Sequence, residues 1–442
     1  MNQPGGWKHE WQAMRRSLTR EGSFVQNSAW MFASSGASMA IQFAFFPILS
    51  RIYSPEAYGL FGVFNFYSTT LGNAMTFGYN QAFVLPESRR EFGALLHLTI
   101  CNSLLMALIT ALVALLAGDA LLGFAGQEEL GGWVHLIAPV ALLMAWDRIM
   151  GDWAIRDREF RRQTIVSTSI TLSTKIFNLA YGIAVHSGAG GLIWTTLLQH
   201  TLRTLAYLRW VVEDAALHLR ARFTWKELKT VAGAYRNFPL YIYWSNVLSA
   251  FSSALPAALL PLLGFGLTAG GYYGYSVILL DLPIRLLGAG VASVFQQKSA
   301  ELLRDRPHEL RRHTYRLIAT LALFSMPFTL LMWLAGESIY VFCFGEPWRV
   351  AGQAVEYLAW YYLFRMISSP LTVLFTTLRK ERRLFIFHTI LMAVRVLSLL
   401  IGAAFTNDFL CLMAIFSACN AAAYAVLCLM TYRLVASLHV ST

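Results

Sequence analysis

Five ionisable side chains lie near the middle of long apolar stretches of this 442-residue sequence. Inside a bilayer such a charge costs nominally about 2.5 to 3.5 kcal/mol, so it is expected to face a partner or a water-filled cavity. Four of the five are basic and one is acidic: Lys175, Asp281, Arg285, Arg365 and Arg395. The set predicts a positive cavity that binds an anion, although any single cation could instead snorkel or bond to a carbonyl.

Asp281 and Arg285 are four residues apart and therefore share one face of a helix. Two interpretations of this pair stay open. In the first, the two side chains form a structural ion pair that locks the helix. In the second, an anionic ligand competes with the carboxylate for the guanidinium.

Polar uncharged residues step by three or four through the second apolar stretch and predict one continuous helical face. They are Asn65, Thr69, Asn73, Thr76 and Asn80. Small polar residues often serve helix packing in membranes, and we assign Ser245, Ser249 and Ser252 of the seventh stretch to that role. Three asparagines on one face favour exposure to a cavity instead.

An anionic, hydroxyl-rich ligand fits this combination of side chains. Guanidinium and ammonium groups bind phosphate, whereas amides and hydroxyls hydrogen-bond to sugars. A lipophilic cation does not fit a cavity with four basic groups and one acidic group. The sequence shows no metal-binding His-Glu spacing, phosphate-binding glycine loop or nucleophile elbow. We therefore expect no catalytic residues, no metal site and no cofactor.

These side chains lie on twelve apolar stretches, each near the roughly 20 residues that cross a bilayer as a helix. Hydrophobic residues make up 57% of the chain and charged residues only 13%, against about 25% charged in a soluble domain. We predict an all-α polytopic membrane protein with twelve transmembrane helices. The predicted spans are 26–49, 57–81, 93–117, 131–148, 164–186, 190–212, 237–262, 268–295, 314–335, 353–377, 385–405 and 409–432.

The basic residues of the loops alternate between the two sides of the predicted membrane. They are concentrated in the leader and in every second loop, whereas the intervening loops hold only Arg51 and Arg349. The positive-inside rule therefore places both termini in the cytoplasm. The formal charge of +11 comes from basic residues in short loops, where they determine the membrane topology and contact anionic lipid headgroups. We therefore expect membrane lipids as partners and no nucleic acid.

The two halves of the chain resemble each other weakly. A Tyr-Gly pair lies near the start of the second predicted span (Tyr58-Gly59) and near the start of the eighth (Tyr273-Gly274). A parallel repeat of two six-helix lobes would enclose a central cavity and work by alternating access; a chance match of short motifs is the alternative. The predicted domains are a cytoplasmic segment (1–25), an N-lobe (26–212), an amphipathic linker on the inner leaflet (213–236), a C-lobe (237–435) and a cytoplasmic tail (436–442). The longest loop on the outer side is predicted between Gly336 and Gly352.

Three short motifs resemble one known family. The run from Phe46 to Gly59, FPILSRIYSPEAYG, resembles the first loop of bacterial O-antigen and exopolysaccharide flippases of the multidrug/oligosaccharidyl-lipid/polysaccharide superfamily. The resemblance continues at 236–239 (RNFP) and 281–288 (DLPIRLLG). It implies an inner-membrane transporter that moves undecaprenyl-diphosphate-linked oligosaccharide to the outer leaflet, coupled to a proton or sodium gradient.

The resemblance also implies site residues and partners. It adds Arg51 to the substrate contacts, beside the asparagine face and Arg285, and makes Asp281 the residue that would couple transport to the ion gradient. A polysaccharide polymerase and a chain-length regulator are the expected protein partners of a monomeric flippase.

Three other classes compete with this interpretation. A multidrug exporter of the same superfamily is the nearest alternative, but it usually needs buried acids for organic cations. An integral membrane enzyme would need a sizeable outer loop with catalytic groups, so we expect a non-enzyme. A major-facilitator transporter shares the plan of six plus six helices, but the loop at 86–92 lacks that family's pattern of glycine, aspartate and basic residues.

Overall fold

The computed structural model describes residues 24–124, 127–185, 188–212, 220–305, 307–378 and 380–436, and all regular secondary structure in these ranges is helical. The predicted cytoplasmic segment up to residue 23, the linker residues 213–219 and the tail from residue 437 lie outside the described residues.

Long helices coincide with every range predicted as a span. In the first half they are α1 (Phe24–Leu49), α2 (Pro55–Ala74), α3 (Arg89–Phe124), α4 (Val134–Arg156), α5 (Phe160–Val185) and α6 (Gly190–Ala206), followed by the short α7 (Trp225–Ala234). In the second half they are α8 (Tyr243–Leu260), α9 (Gly266–Asp305), α10 (Pro307–Phe344), α11 (Arg349–Ser368), the short α12 (Val373–Thr377), α13 (Glu381–Phe405) and α14 (Phe409–Ala436).

Six helical segments among the described residues are long and apolar enough to cross a membrane by length and composition. They are Arg89–Gly123, Glu128–Arg156, Phe251–Arg285, Glu309–Phe344, Arg382–Phe405 and Phe409–Ala436. The chain is therefore a multi-pass membrane protein. The count of twelve crossings and the two six-helix lobes stay predictions.

The predicted second span was too long at its end. It was placed at 57–81, but α2 ends at Ala74. The backbone of Phe77 and Gly78 then takes positive φ angles of 49° and 74°, and a left-handed residue cannot continue a right-handed helix. Asn80 consequently lies in a separate 3₁₀ turn, Tyr79–Ala82, so the asparagines do not form one continuous helical face.

The fourth and ninth predicted spans, 131–148 and 314–335, end before the helices that contain them. α4 continues beyond residue 148 to Arg156, and α10 continues to Phe344, which reduces the predicted outer loop to a 3₁₀ turn at Glu346–Trp348 and its flanks. Hydropathy marks the apolar part of a helix, whereas backbone hydrogen bonding continues into polar residues beyond it.

The chain folds into two compact units. Unit 1 comprises Met1–Leu49, Tyr67–Ala120 and Gly131–Val247, and unit 2 comprises Ser50–Phe66, Leu121–Leu130 and Leu248–Thr442. The predicted division at 213–236 stays a prediction.

In unit 1, Arg156 fixes the chain that follows α2. Its guanidinium donates to the carbonyl oxygens of Phe83 and Pro86 and lies 4.5 Å from the centre of the Phe92 ring. Trp153, one turn earlier on α4, is fully buried against Phe92. This aromatic core holds the 3₁₀ turn that carries Asn80.

In unit 2, the start of α2 lies against the start of α9. A Cβ atom built on Gly59 would overlap the carbonyl oxygen of Leu267, and one built on Gly271 would overlap that of Pro55. Only glycine permits so close a backbone approach. Beside it, the Tyr275 and Trp348 rings stack with their centroids 3.7 Å apart.

Candidate functional site

Arg395 of α13 lies inside unit 2 with only 5% of its surface exposed. Its Nε donates to Asn420 Oδ1 at 3.3 Å, and Nη1 donates to Ser252 Oγ at 2.9 Å. Its Nη2 donates to the hydroxyls of Tyr361 and Tyr424 at 3.1 and 3.3 Å. The guanidinium thus joins side chains of four helices: α8, α11, α13 and α14.

Every one of these acceptors is neutral. Within the described part of the chain, no carboxylate forms an ion pair with Arg395. Arginine stays protonated in proteins, so its positive charge remains in the protein interior without a counter-ion. A buried charge of this kind is stabilised strongly by an incoming anion.

Arg365 of α11, one turn after Tyr361, is the second cation of this region. Its Nη1 donates to Asp281 Oδ1 at 2.8 Å, and its guanidinium carbon lies 5.0 Å from the centre of the Tyr362 ring. Arg285 reaches the other oxygen of Asp281 only at 3.6 Å, and its side chain is 67% exposed. The predicted Asp281–Arg285 pair is therefore present but loose, because the carboxylate is oriented toward Arg365.

Arg365 and Arg395 line one cavity of about 210 Å³. Hydroxyl and imidazole groups complete its polar lining: Ser252, Ser253, Ser369, Thr372, His388 and Tyr424. Ser252, which the sequence assigns to helix packing, accepts a hydrogen bond from Arg395 on another helix and also lines this cavity. The arrangement combines positive charge with hydrogen-bonding groups, as a phosphate ligand requires.

Unit 1 contains a second polar cavity of about 400 Å³. Asn73, Thr76 and Asn80 contribute to its lining even though α2 ends before Asn80, and Arg148 and Asp152 of α4 lie in the same wall. Asn80 is buried and donates to Asp152 Oδ2 at 2.5 Å, whereas its own Oδ1 has no hydrogen-bond partner in the described structure. Because this acceptor is itself shielded from solvent, a ligand hydroxyl would reach it only after neighbouring side chains move.

The remaining predicted site residues are not among the described lining residues of these two cavities. Arg51 is exposed in the turn after α1, and Asn65 is half-buried on the part of α2 that belongs to unit 2. Lys175 is half-buried on α5, with Nζ 5.7 Å from the centre of the Phe46 ring. The Phe46 ring is thus a cation–π partner of Lys175, which the spacing of residues in the sequence did not indicate.

A buried charge cluster on α4 was missed in the sequence, because Asp147 lies at the end of the predicted span 131–148 and not near its middle. Asp147 is 8% exposed, and its Oδ2 lies 2.9 Å from His200 Nδ1 and 3.1 Å from Arg203 Nη1 on α6. The count of a single mid-span acid was thus wrong. The signal was available in Asp147 itself, a carboxylate inside the predicted fourth span.

These features define a class before any relative is considered. In the described residues all regular secondary structure is helical, six segments can each cross a bilayer by length and composition, and helix side chains form a cationic cavity. These are features of a multi-pass membrane protein. A model of the polysaccharide biosynthesis protein family matches residues 48–353. The chain belongs to this family, and the resemblance to polysaccharide flippases is confirmed.

Individual relatives agree with this assignment. The chain is 22% identical over 338 residues to the succinoglycan biosynthesis transport protein ExoT of Rhizobium meliloti (strain 1021). The match covers 76% of this chain but 65% of that protein, slightly under two thirds of its length.

Solved structures show the same fold at low identity. The lipid II flippase MurJ, in an inward closed conformation, matches with a TM-score of 0.72 at 14% identity, over 92% of this chain and 87% of that one. An inward-facing multidrug resistance MATE family transporter of the MOP superfamily matches with a TM-score of 0.71, also at 14% identity, over 93% and 96% of the two chains.

Proposed function

We propose that this protein is a flippase that moves undecaprenyl-diphosphate-linked oligosaccharide units across the bacterial inner membrane for O-antigen or exopolysaccharide synthesis. The observation that carries the proposal is Arg395, a buried cation held by neutral oxygens beside a second arginine. A diphosphate would supply the missing negative charge, and its polyprenyl tail could remain in lipid.

Each cavity, taken by itself, has the chemistry of one polar group of such a substrate. Arg395 and Arg365 would bind the diphosphate by charge-assisted hydrogen bonds. Asn73 and Asn80 would hydrogen-bond to sugar hydroxyls, together with Asp152. Arg51, Asn65, Lys175 and Arg285 are proposed as further contacts along the route.

Asp281 is the proposed site of ion coupling. Its carboxylate holds Arg365 at 2.8 Å and lies 3.6 Å from Arg285. A proton or sodium ion at this carboxylate would cancel its charge and release Arg365 for the substrate phosphate. Dissociation of the ion would restore the pair and expel the substrate.

The remaining features of the mechanism are also proposals. Two six-helix lobes around a central cavity would alternate between inward and outward access, with both termini in the cytoplasm. The protein would act as a monomer without enzymatic activity or cofactor, and a polymerase and chain-length regulator would receive its cargo.

A strain that lacks the gene tests the function. We expect it to accumulate undecaprenyl-linked repeat units on the inner leaflet, and the wild-type gene to restore export. Arg395→Gln should reduce export by roughly 10- to 100-fold, the effect of losing hydrogen bonds to a charged group. Arg395→Lys should retain part of it, because lysine keeps the charge but not the planar donor set.

The matched control is Arg433→Gln, which removes an exposed arginine from the last turn of α14. Immunoblots of the membrane fraction establish that each variant is present. Normal export by Arg395→Gln would remove Arg395 from the mechanism.

A multidrug exporter is the second candidate, favoured by the fold shared with the MATE transporter. It predicts drug sensitivity and normal surface glycan in the deletion strain. The flippase proposal predicts the opposite pair of results.

A further inference from the structure

A groove of about 660 Å³ on unit 1 lies apart from the two polar cavities. It runs between α5 and the π-helical turn Tyr207–Val211 that continues α6. Arg162 and Arg209 belong to its lining together with Trp210, whereas Ile165, Ile170 and Ala206 provide apolar surface. The groove therefore has a basic end and an apolar wall.

The basic residues of the groove lie at helix ends and its apolar residues lie further along the helices, which is the order of headgroup and acyl chain in a lipid leaflet. Arg162 lies in the first turn of α5, and Arg209 follows the end of the neighbouring α6. Ile170 is eight residues further along α5, which at 1.5 Å per residue places it about 12 Å deeper. Tryptophan favours the headgroup level of a membrane, and Trp210 is 62% exposed beside Arg209.

We propose that this groove binds an anionic glycerophospholipid of the membrane, with its phosphate between Arg162 and Arg209 and an acyl chain along the apolar wall. Charge complementarity selects an anionic headgroup, because basic pockets between helices at the cytoplasmic surface bind such lipids. Ser169 supplies the one hydroxyl among the described lining residues, which suits a small phosphate headgroup better than a glycan.

The ion pair already present does not prevent this binding. Arg162 Nε lies 3.4 Å from Glu159 one turn earlier, and both partners are partly exposed, with 52% and 22% of their side chains accessible. Exposed pairs of this kind are weak. A phosphate that reaches both arginines competes with the carboxylate effectively.

The proposal does not depend on the identity of the transported cargo. Binding is measured on the purified full-length protein by native mass spectrometry, with phosphatidylglycerol or phosphatidylcholine added in graded amounts. A chain that fails to restore glycan export can still bind phosphatidylglycerol, so the two proposals fail separately.

We expect the wild-type protein to prefer phosphatidylglycerol. An arginine that faces a bound anionic headgroup contributes about fivefold to binding, so the double variant Arg162→Gln/Arg209→Gln should lose about 25-fold. Arg161→Gln removes the same charge from the same turn but outside the groove lining, so it should lower affinity clearly less than Arg162→Gln does. Ile170→Trp should also weaken binding, because it fills the groove without changing charge.

Three results would overturn the proposal. Equal binding of the two lipids would remove the charge selection. A loss with Arg161→Gln as large as with Arg162→Gln would indicate diffuse surface attraction rather than a site. Displacement of phosphatidylglycerol by a lower concentration of undecaprenyl phosphate would make the groove a polyprenyl site instead. Thermal unfolding of each variant in detergent verifies that the fold is retained.

Discussion

Arg365 and Asp281 meet at 2.8 Å although 84 positions separate them in the chain. Their contact joins α11 to α9 beside the cavity that Arg395 also lines. Among the described residues, Arg365 has a carboxylate partner whereas the partners of Arg395 are neutral, so the two cations of this region differ in charge compensation. An anion in the cavity would be attracted more strongly by Arg395 than by Arg365, because the charge of Arg365 is already compensated by Asp281.

Replacing Asp281 with asparagine should tighten anion binding. The amide leaves Arg365 without its counter-charge, so inorganic diphosphate should bind the purified protein roughly 10-fold more tightly, measured by calorimetry. Removal of one partner of a buried pair also destabilises a protein by about 3 to 5 kcal/mol, which lowers the Tm. The lower Tm should recover with diphosphate, and unchanged affinity would exclude Asp281 as a competitor for the arginine.

Removing the phenolic acceptors of Arg395 should destabilise unit 2. Tyr361→Phe/Tyr424→Phe deletes both partners of Nη2, and an unsatisfied buried donor costs about 1 to 3 kcal/mol or more. The Tm of the double variant should fall and rise more with diphosphate than that of the wild type.

Tyr432→Phe is the control for this change, because Tyr432 is 46% exposed and stacks on Tyr315 away from Arg395. An equal Tm for control and double variant would mean that the hydroxyls do not support the guanidinium.

Alanine at Gly59 or Gly271 should destabilise the contact between α2 and α9. The added methyl groups would overlap backbone carbonyls, and overpacking typically costs about 1 to 3 kcal/mol. Gly274→Ala, three residues further along α9, has no atom within 4 Å of the new Cβ and should not be destabilising. Thermal unfolding in detergent compares the three variants, and equal effects would contradict the close approach.

The attachment of α7 in unit 1 should depend on pH through Glu227. Its carboxylate accepts hydrogen bonds from the backbone N–H and the hydroxyl of Thr224 and from the guanidinium of Arg90. These hydrogen bonds lower the pKa of Glu227 to about 2, and the bond from the Thr224 backbone has the largest effect. A lowered pKa contributes stability above the usual carboxyl value of 4.5 that is lost as the pH falls through 2.

Hydrogen exchange of α7, corrected for intrinsic rates, should therefore be constant from pH 7 to about 5 and increase from about 4.5 toward 2. Glu227→Gln should exchange faster at neutral pH and show little of this dependence. The same pH profile in both proteins would assign the effect to another group.

Much of the helical framework could be predicted from sequence, because a lipid-facing helix must be apolar over a bilayer thickness whatever it contacts. Helix ends were less predictable. The end of α2 depends on the left-handed backbone at Gly78, and the continuation of α4 past residue 148 placed Arg148 and Asp152 together in a cavity wall.

Partners of the buried charges were the least predictable part of the site. Arg395 was identified as a charge within an apolar stretch, but Asn420, Tyr361 and Tyr424 carry no signal that distinguishes them from other polar residues in membrane helices. Asp281 could be paired by spacing only with Arg285 on its own helix.

Composition and hydropathy by themselves determined that this chain is a multi-pass membrane protein, because transfer into lipid depends on each segment's own side chains. Which charges are neutralised and which stay available was decided only by tertiary structure. Ion pairing depends on distances between helices, so Asp281 meets Arg365 across 84 positions and Arg395 is left to neutral oxygens.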